Sequence, residues 1–293
     1  MTTFPKDFLW SASTAATQIE GGWNADGKGE SIWDTLVHDG TGKIAHGENA
    51  DISIDFYHRW REDVALMKQM GLKAYRFSIS WARVLPEGIG KVNEAGIRFY
   101  QDFCDELLKN GIQPLVTLYH WDLPTALYRQ GGWKNPASPD WFAEYAEVVS
   151  KALAGRVGYW LTFNEVDSVI RHPFTTAGII PSRVPEDKML ETCYQALHHQ
   201  LVASAMVVKD CHEIIPGSKV GCMLTKLTTY ARTCAPDDEL ATQAKNLENL
   251  FYADVHVWGE YPRLILKMFE RKGIHVEMLP EDAATLKLSL IHI

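Results

Sequence analysis

Four polar residues stand at the ends of short apolar runs or within one. His120 follows the apolar run at 115–119, Asn164 and Glu165 follow the run at 159–163, and Arg76 lies inside the run at 74–80. In a parallel α/β fold the carboxyl ends of the strands converge on one mouth, and side chains placed there build the site. A carboxylate in that position, between aromatic neighbours, is a candidate proton donor, because partial desolvation favours the neutral acid. Each residue alone also has a structural reading. A strand-end histidine is commonly satisfied by its surroundings, an arginine in a strand pairs with a nearby acid, and an Asn-Glu pair caps the helix that follows. The 10 tryptophans suit the apolar faces of sugars, but they suit a core equally well.

The elements that must position these groups are legible as an alternation of short apolar runs with longer amphipathic stretches. The runs predict strands over 8–13, 74–80, 114–120, 159–164 and 219–224, the last four apolar enough to be buried on both faces. Between them, Asn93 is a good N-cap for a helix whose apolar positions are Ile97, Tyr100, Cys104, Leu107 and Leu108, with Gly111 at the left-handed end. Ser138-Pro139-Asp140 reads as an N-cap, a first-turn proline and a first-turn acid, ahead of a face made by Trp141, Tyr145, Val148, Val149 and Ala152. Trp60, Val64 and Met67 repeat the design up to Gly71. Parallel neighbours need crossover helices, so the alternation predicts an α/β fold with a parallel sheet. No G-x-G-x-x-G follows the first strand, which argues against a dinucleotide site.

The bulk numbers exclude several classes. Of 293 residues, 46% are hydrophobic and 23% charged, enough for a large core. The 29 basic residues face 37 acidic ones, a net charge of −8, so neither nucleic acid nor an anionic membrane is the expected partner. The five cysteines are scattered without C-x-x-C or zinc spacing, as expected for reduced thiols. Lys6 and Asp7 interrupt any signal-peptide core, and no apolar run nears the roughly 18 residues of a membrane span. The expected location is cytoplasmic, with no metal or organic cofactor.

The motifs taken together are far more specific than their members. Phe8-Leu-Trp-Ser-Ala-Ser-Thr-Ala-Ala-Thr-Gln18-Ile-Glu20-Gly-Gly resembles the N-terminal signature of glycoside hydrolase family 1. Ser31-Ile-Trp-Asp34, Tyr75-Arg76-Phe-Ser-Ile-Ser-Trp81, Tyr119-His120-Trp121-Asp122-Leu-Pro124, Gly131-Gly-Trp133 and Leu161-Thr-Phe-Asn164-Glu165 continue that resemblance in the family's order, to about Lys287. The resemblance implies a (β/α)8 TIM barrel and a retaining β-glucosidase acting on a terminal β-glucoside or oligosaccharide by double displacement. It further implies Glu165 as general acid/base and Arg76 as support for the nucleophilic carboxylate. Gln18 and His120 would bind sugar hydroxyls, Asn164 the 2-hydroxyl, and Trp121 would form part of the pocket wall. Thr17, Val166 and the segment at 176–181 depart from the usual wording. The stretch from Gly221 to Pro262 is similar to bacterial 6-phospho-β-glucosidases, the alternative substrate class. His120 to Pro124 carries the wording of plain β-glucosidases, and the unphosphorylated sugar is the favoured expectation.

The resemblance also places the nucleophile in a Thr-Glu-Asn-Gly segment on the seventh strand, and no such segment occurs in these residues. The expectation is therefore a single domain over 1–287 that forms the N-terminal part of the barrel, truncated after about five β/α units. Residues 288–293, Leu-Ser-Leu-Ile-His-Ile, resemble the translation of a transposon end used in sequencing-library preparation and are expected to be a non-native tail. A retaining glycosidase needs two carboxylates, so the 293 residues alone are expected to be inactive. A non-catalytic sugar-binding or interaction module is the reading of another class.

Overall fold

The computed structural model describes residues 3–38 and 44–289. Residues 290–293 of the expected tail lie outside the described residues. Leu288 and Ser289 fall within them, in a short 3-10 turn over Lys287–Ser289, where the buried Ser289 hydroxyl donates to the His256 carbonyl. Among the described residues no helix is long and apolar enough to cross a membrane.

Among the described residues five strands, β1 (Ser11–Ser13), β2 (Ala74–Ser78), β3 (Gln113–Tyr119), β4 (Tyr159–Asn164) and β5 (Lys219–Met223), form one sheet in sequence order, every pair parallel. The crossovers are helical, as parallel pairing demands. They are α1 (Phe56–Gln69), α2 (Glu94–Lys109), α3 (Ser138–Leu153) and α4 (Met189–Ile214), and α5 (Pro236–Trp258) follows β5. The architecture is that of consecutive β/α barrel units, five in number. The expected strands match within a few residues except the first, which begins only at Ser11. Before it, the rings of Phe4, Phe8 and Trp10 pack on one another with centroids 4.7–4.8 Å apart. The Trp10 carbonyl already accepts from Lys73 and Ala74, and ladder pairing starts with Ser11 opposite Ala74.

Helix ends follow the chemistry of their caps. The Asn93 side chain accepts from the Ala95 amide at the start of α2, and Gly111 takes up a left-handed φ of 72° just past its end. At α3 the expected cap differs. Ser138 is already helical, and its hydroxyl donates to the Trp133 carbonyl; Asn135 instead accepts from the Ala137 amide and closes the preceding turn. The buried side of the sheet packs on these helices through aromatic residues. Phe103 of α2 meets Phe77 edge-on at 4.8 Å, and Phe142 of α3 lies 4.7 Å from Phe163 of β4. Removing one such ring costs about 3–5 kcal/mol, so Phe103→Ala would be among the most damaging single changes here.

The other face of the sheet is different. Arg76, Leu115 and Leu161 are half-buried, whereas their strand neighbours Tyr75, Phe77, Val116 and Trp160 are fully buried. This alternation means that only one face is covered by helices, as on the wall of a barrel.

Candidate active site

Every residue singled out in the sequence lies at or just beyond a strand's carboxyl end, or points along the strands toward that end. The β2–β3 register sets Arg76 opposite Leu115 and Ser78 opposite Thr117. From there Arg76 Nε donates to Thr117 Oγ1 at 2.9 Å, and Nη2 donates to Asn164 Oδ1 at 2.7 Å. Trp121 Nε1 donates to the Asn164 main-chain carbonyl at 2.9 Å. Asn164 is thus fixed through both of its oxygens. Its side-chain amide NH2 remains available to donate to an incoming hydroxyl. Burial lowers the basicity of Arg76, and the charge of the Glu165 carboxylate counteracts that loss.

Glu165 and Trp121 both have left-handed backbones, with φ of 54° and 67°. Such conformations carry strain for residues with a Cβ and cluster at functional positions. At Glu165 the cause is visible. The β4–β5 register shifts between Leu161 and Asn164, and the Glu165 amide then donates to the Met223 carbonyl at 2.7 Å. That shift turns the half-buried carboxyl into a 3-10 turn over Val166–Ile170, where Oε2 accepts from Ser168 Oγ at 3.0 Å.

A cavity of about 370 Å³ opens beside this cluster. Its lining includes Gln18, Glu20, Trp23, Trp33, His120 and Trp121, but not Arg76, Asn164 or Glu165. Trp121 links the two halves, walling the cavity while hydrogen-bonding Asn164. Gln18 is exposed to the cavity mouth. His120 is held neutral, its pKa pulled down to about 4 first by burial and then by Arg76, and its Nδ1 has no partner. A neutral imidazole with a free nitrogen can accept from or donate to a sugar hydroxyl.

Beneath the cavity lies a buried charged scaffold. Arg83 Nε reaches Glu20 Oε2 at 2.9 Å, the Tyr100 hydroxyl donates to Glu20 Oε1 at 2.6 Å, and the guanidinium stacks 4.1 Å from the Tyr57 ring centre. Lys28 Nζ bonds Asp34 Oδ2 at 2.7 Å. Asp122 is fully enclosed, and one carboxyl oxygen accepts from the Trp81 amide at 3.3 Å while the other has no partner. Burial, with a smaller push from Glu20, raises its pKa to about 7.

Sequence reasoning missed several of these contributors. Thr117 and Glu20 lie inside a strand run and a motif segment, but nothing local tells that Glu20 pairs with an arginine 63 positions away. Ser168 and Arg171 carried a faint signal. Both follow Glu165, three and six residues on, spacings that successive 3-10 turns bring to the same side.

The chain's similarity to known proteins agrees with this geometry. The model of glycosyl hydrolase family 1 matches residues 1–291. The chain is 44% identical over 283 residues to Beta-glucosidase A of Acetivibrio thermocellus, covering 96% of this chain and 61% of that protein. It is 42% identical to a 6-phospho-beta-glucosidase of Clostridium longisporum, covering 97% of this chain and again 61% of the relative. The structure superimposes on the family 1 b-glucosidase from Thermotoga maritima with a TM-score of 0.86 and 36% identity, covering 99% of this chain and 63% of that one. The chain therefore spans about three fifths of the length of these relatives, and its sheet is a truncated (β/α) barrel. With the family model matched along nearly its whole length, the chain belongs to glycosyl hydrolase family 1.

Proposed function

We propose that this chain carries the acid/base half of a retaining β-glucosidase that hydrolyses terminal β-D-glucosides. The observation that carries the reading is the hydrogen bond of Arg76 to Asn164, which sets the amide group beside the half-buried Glu165 at the strands' carboxyl ends. In the complete barrel, Glu165 protonates the glycosidic oxygen as the C–O bond breaks, while a second carboxylate attacks the anomeric carbon. Glu165 then accepts a proton from water, which displaces the enzyme carboxylate and restores the sugar with retention. Asn164 holds the 2-hydroxyl, Gln18 and His120 hold further hydroxyls, and Trp121 packs on the sugar's apolar face. Arg76 steadies the attacking carboxylate. Since no Thr-Glu-Asn-Gly segment is present, the 293 residues by themselves are inactive in this reading. No cofactor is required, because the two carboxylates supply the chemistry.

A second reading, hydrolysis of a 6-phosphorylated β-glucoside, is supported by the near-equal identity to relatives so named, 42% against 44%. Turnover of p-nitrophenyl β-glucoside and of its 6-phosphate by the full-length enzyme tests both. The first reading expects the unphosphorylated substrate to be preferred. A marked preference for the phosphate overturns it in favour of the second.

A further inference from the structure

Beyond Glu165, a chain of hydrogen bonds runs from the end of β5 to the carboxyl group. The Thr225 amide donates to Asp167 Oδ1 at 3.0 Å, and Asp167 Oδ2 pairs with Arg171 Nη2 at 2.8 Å. The same Arg171 Nη2 donates to Ser168 Oγ at 2.7 Å, and Ser168 Oγ lies 3.0 Å from Glu165 Oε2. Asp167 and Ser168 are both buried to within 1%. The donor count gives this chain a direction. An arginine has no lone pair to offer, so Ser168 must accept from Arg171. The single serine hydroxyl hydrogen is then aimed at Glu165 Oε2.

We infer that Ser168, oriented by the Asp167–Arg171 pair, is a positioning residue that makes Oε2 the permanent acceptor oxygen of Glu165 and leaves Oε1 to carry the transferable proton. The inference rests on the acid/base reading of Glu165 and assigns the two oxygens within it. A proton on Oε2 would have to be donated to the second lone pair of Ser168 Oγ, leaving the buried serine hydrogen without an acceptor among the described residues, so the neutral acid keeps its proton on Oε1. When the glycosidic bond breaks, its electron pair goes to the leaving oxygen, which takes the Oε1 proton. The carboxylate left behind is stabilised by the Ser168 donor, a charge-assisted bond of the stronger kind. Arg76 on β2 acts on the carboxyl directly by charge, and the Arg171–Asp167 pair on its own turn reaches it through Ser168.

The test is a pH titration of the 293-residue chain labelled with 13C at the glutamate carboxyl carbons, the Glu165 signal being identified by its loss in Glu165→Gln. Ser168→Ala removes one buried oxygen and should move the Glu165 midpoint up by about one pH unit, since a donor to the charged form is lost. Ser168→Thr, which keeps the hydroxyl, should restore it. Arg171→Met leaves the serine in place but unoriented and should move the midpoint in the same direction by less. A midpoint unchanged in Ser168→Ala, or a shift that Ser168→Thr does not reverse, overturns the proposal. Should Ser168→Thr fail to fold, an unchanged midpoint in Arg171→Met does the same. Loss of the acid/base reading would instead appear as full activity of the Glu165→Gln enzyme, a separate measurement.

Discussion

Arg76 and Asn164, 88 positions apart, are joined by a 2.7 Å hydrogen bond from Nη2 to Oδ1. The bond spans from β2 across β3 to β4, and Thr117 on the intervening strand takes Nε of the same guanidinium. One arginine therefore sets the orientation of an amide that it does not neighbour in the sheet. Because Oδ1 is occupied, the Asn164 amide presents its donors, and Glu165 follows directly in the chain. This relationship underlies the predictions about catalysis.

In the full-length enzyme, Glu165→Gln should slow hydrolysis of glucosides with poor leaving groups by about 10²–10⁴-fold. An activated aryl glucoside, which departs with little protonation, should lose much less in its glycosylation step. Pre-steady-state rates for the two substrates provide the check. Equal losses would remove Glu165 from the acid role.

The buried pair of Glu20 and Arg83 should respond asymmetrically to mutation. Glu20→Ala leaves a guanidinium with no exposed surface uncompensated and should cost about 3–5 kcal/mol. Tyr100→Phe removes the donor to Glu20 Oε1 and also the oxygen that accepts from the buried Ser80 amide, and should cost at least about 1.5–3 kcal/mol, since a bond to a charged group is lost and a buried donor is left unpaired. Thermal or urea unfolding of the three proteins measures both. Equal, small losses would mean that the pair contributes little.

Asp122 predicts a pH dependence of stability. Its pKa is raised by burial to about 7, so the native state holds a proton that the unfolded chain releases near pH 4. The stabilising contribution is complete below about pH 4 and is lost as pH rises through about 7. Asp122→Asn cannot ionise and should show a smaller fall in melting temperature between pH 5 and 8 than the unsubstituted chain. A parallel fall in both proteins would rule Asp122 out as the cause.

His120 and His256 titrate with the opposite consequence. Burial holds both near about 4, with Arg76 adding to the effect at His120. The unfolded chain takes up these protons near pH 6.5. The stability they contribute is therefore present above about 6.5 and lost as pH falls toward 4. Nitrogen-15 spectra of the two rings at pH 5.5 should show neutral imidazoles. A charged His120 at that pH would contradict its enclosure.

The alternation of elements and the identity of the residues at the strand ends are legible in the amino-acid sequence alone. Apolar runs, an Asn at the start of α2 and glycines at left-handed ends are local signals, because backbone conformation acts on neighbouring residues. The expected burial of the strands on both faces is not met, since Arg76, Leu115 and Leu161 on the uncovered face are only half-buried. The ordered motifs carried the family in the same local way. Which of these residues meet is set by the folded arrangement. Gln18, His120 and Trp121 line a cavity whose wall excludes Arg76, Asn164 and Glu165, and Trp121 joins the two groups by its hydrogen bond to Asn164. The pairing of Glu20 with Arg83, the partner of Arg76, and the Ser168–Arg171 chain behind Glu165 depend on strand order and on a register shift beside β5. Contacts between residues tens of positions apart are set by sheet register and packing, and no local pattern in the chain encodes them.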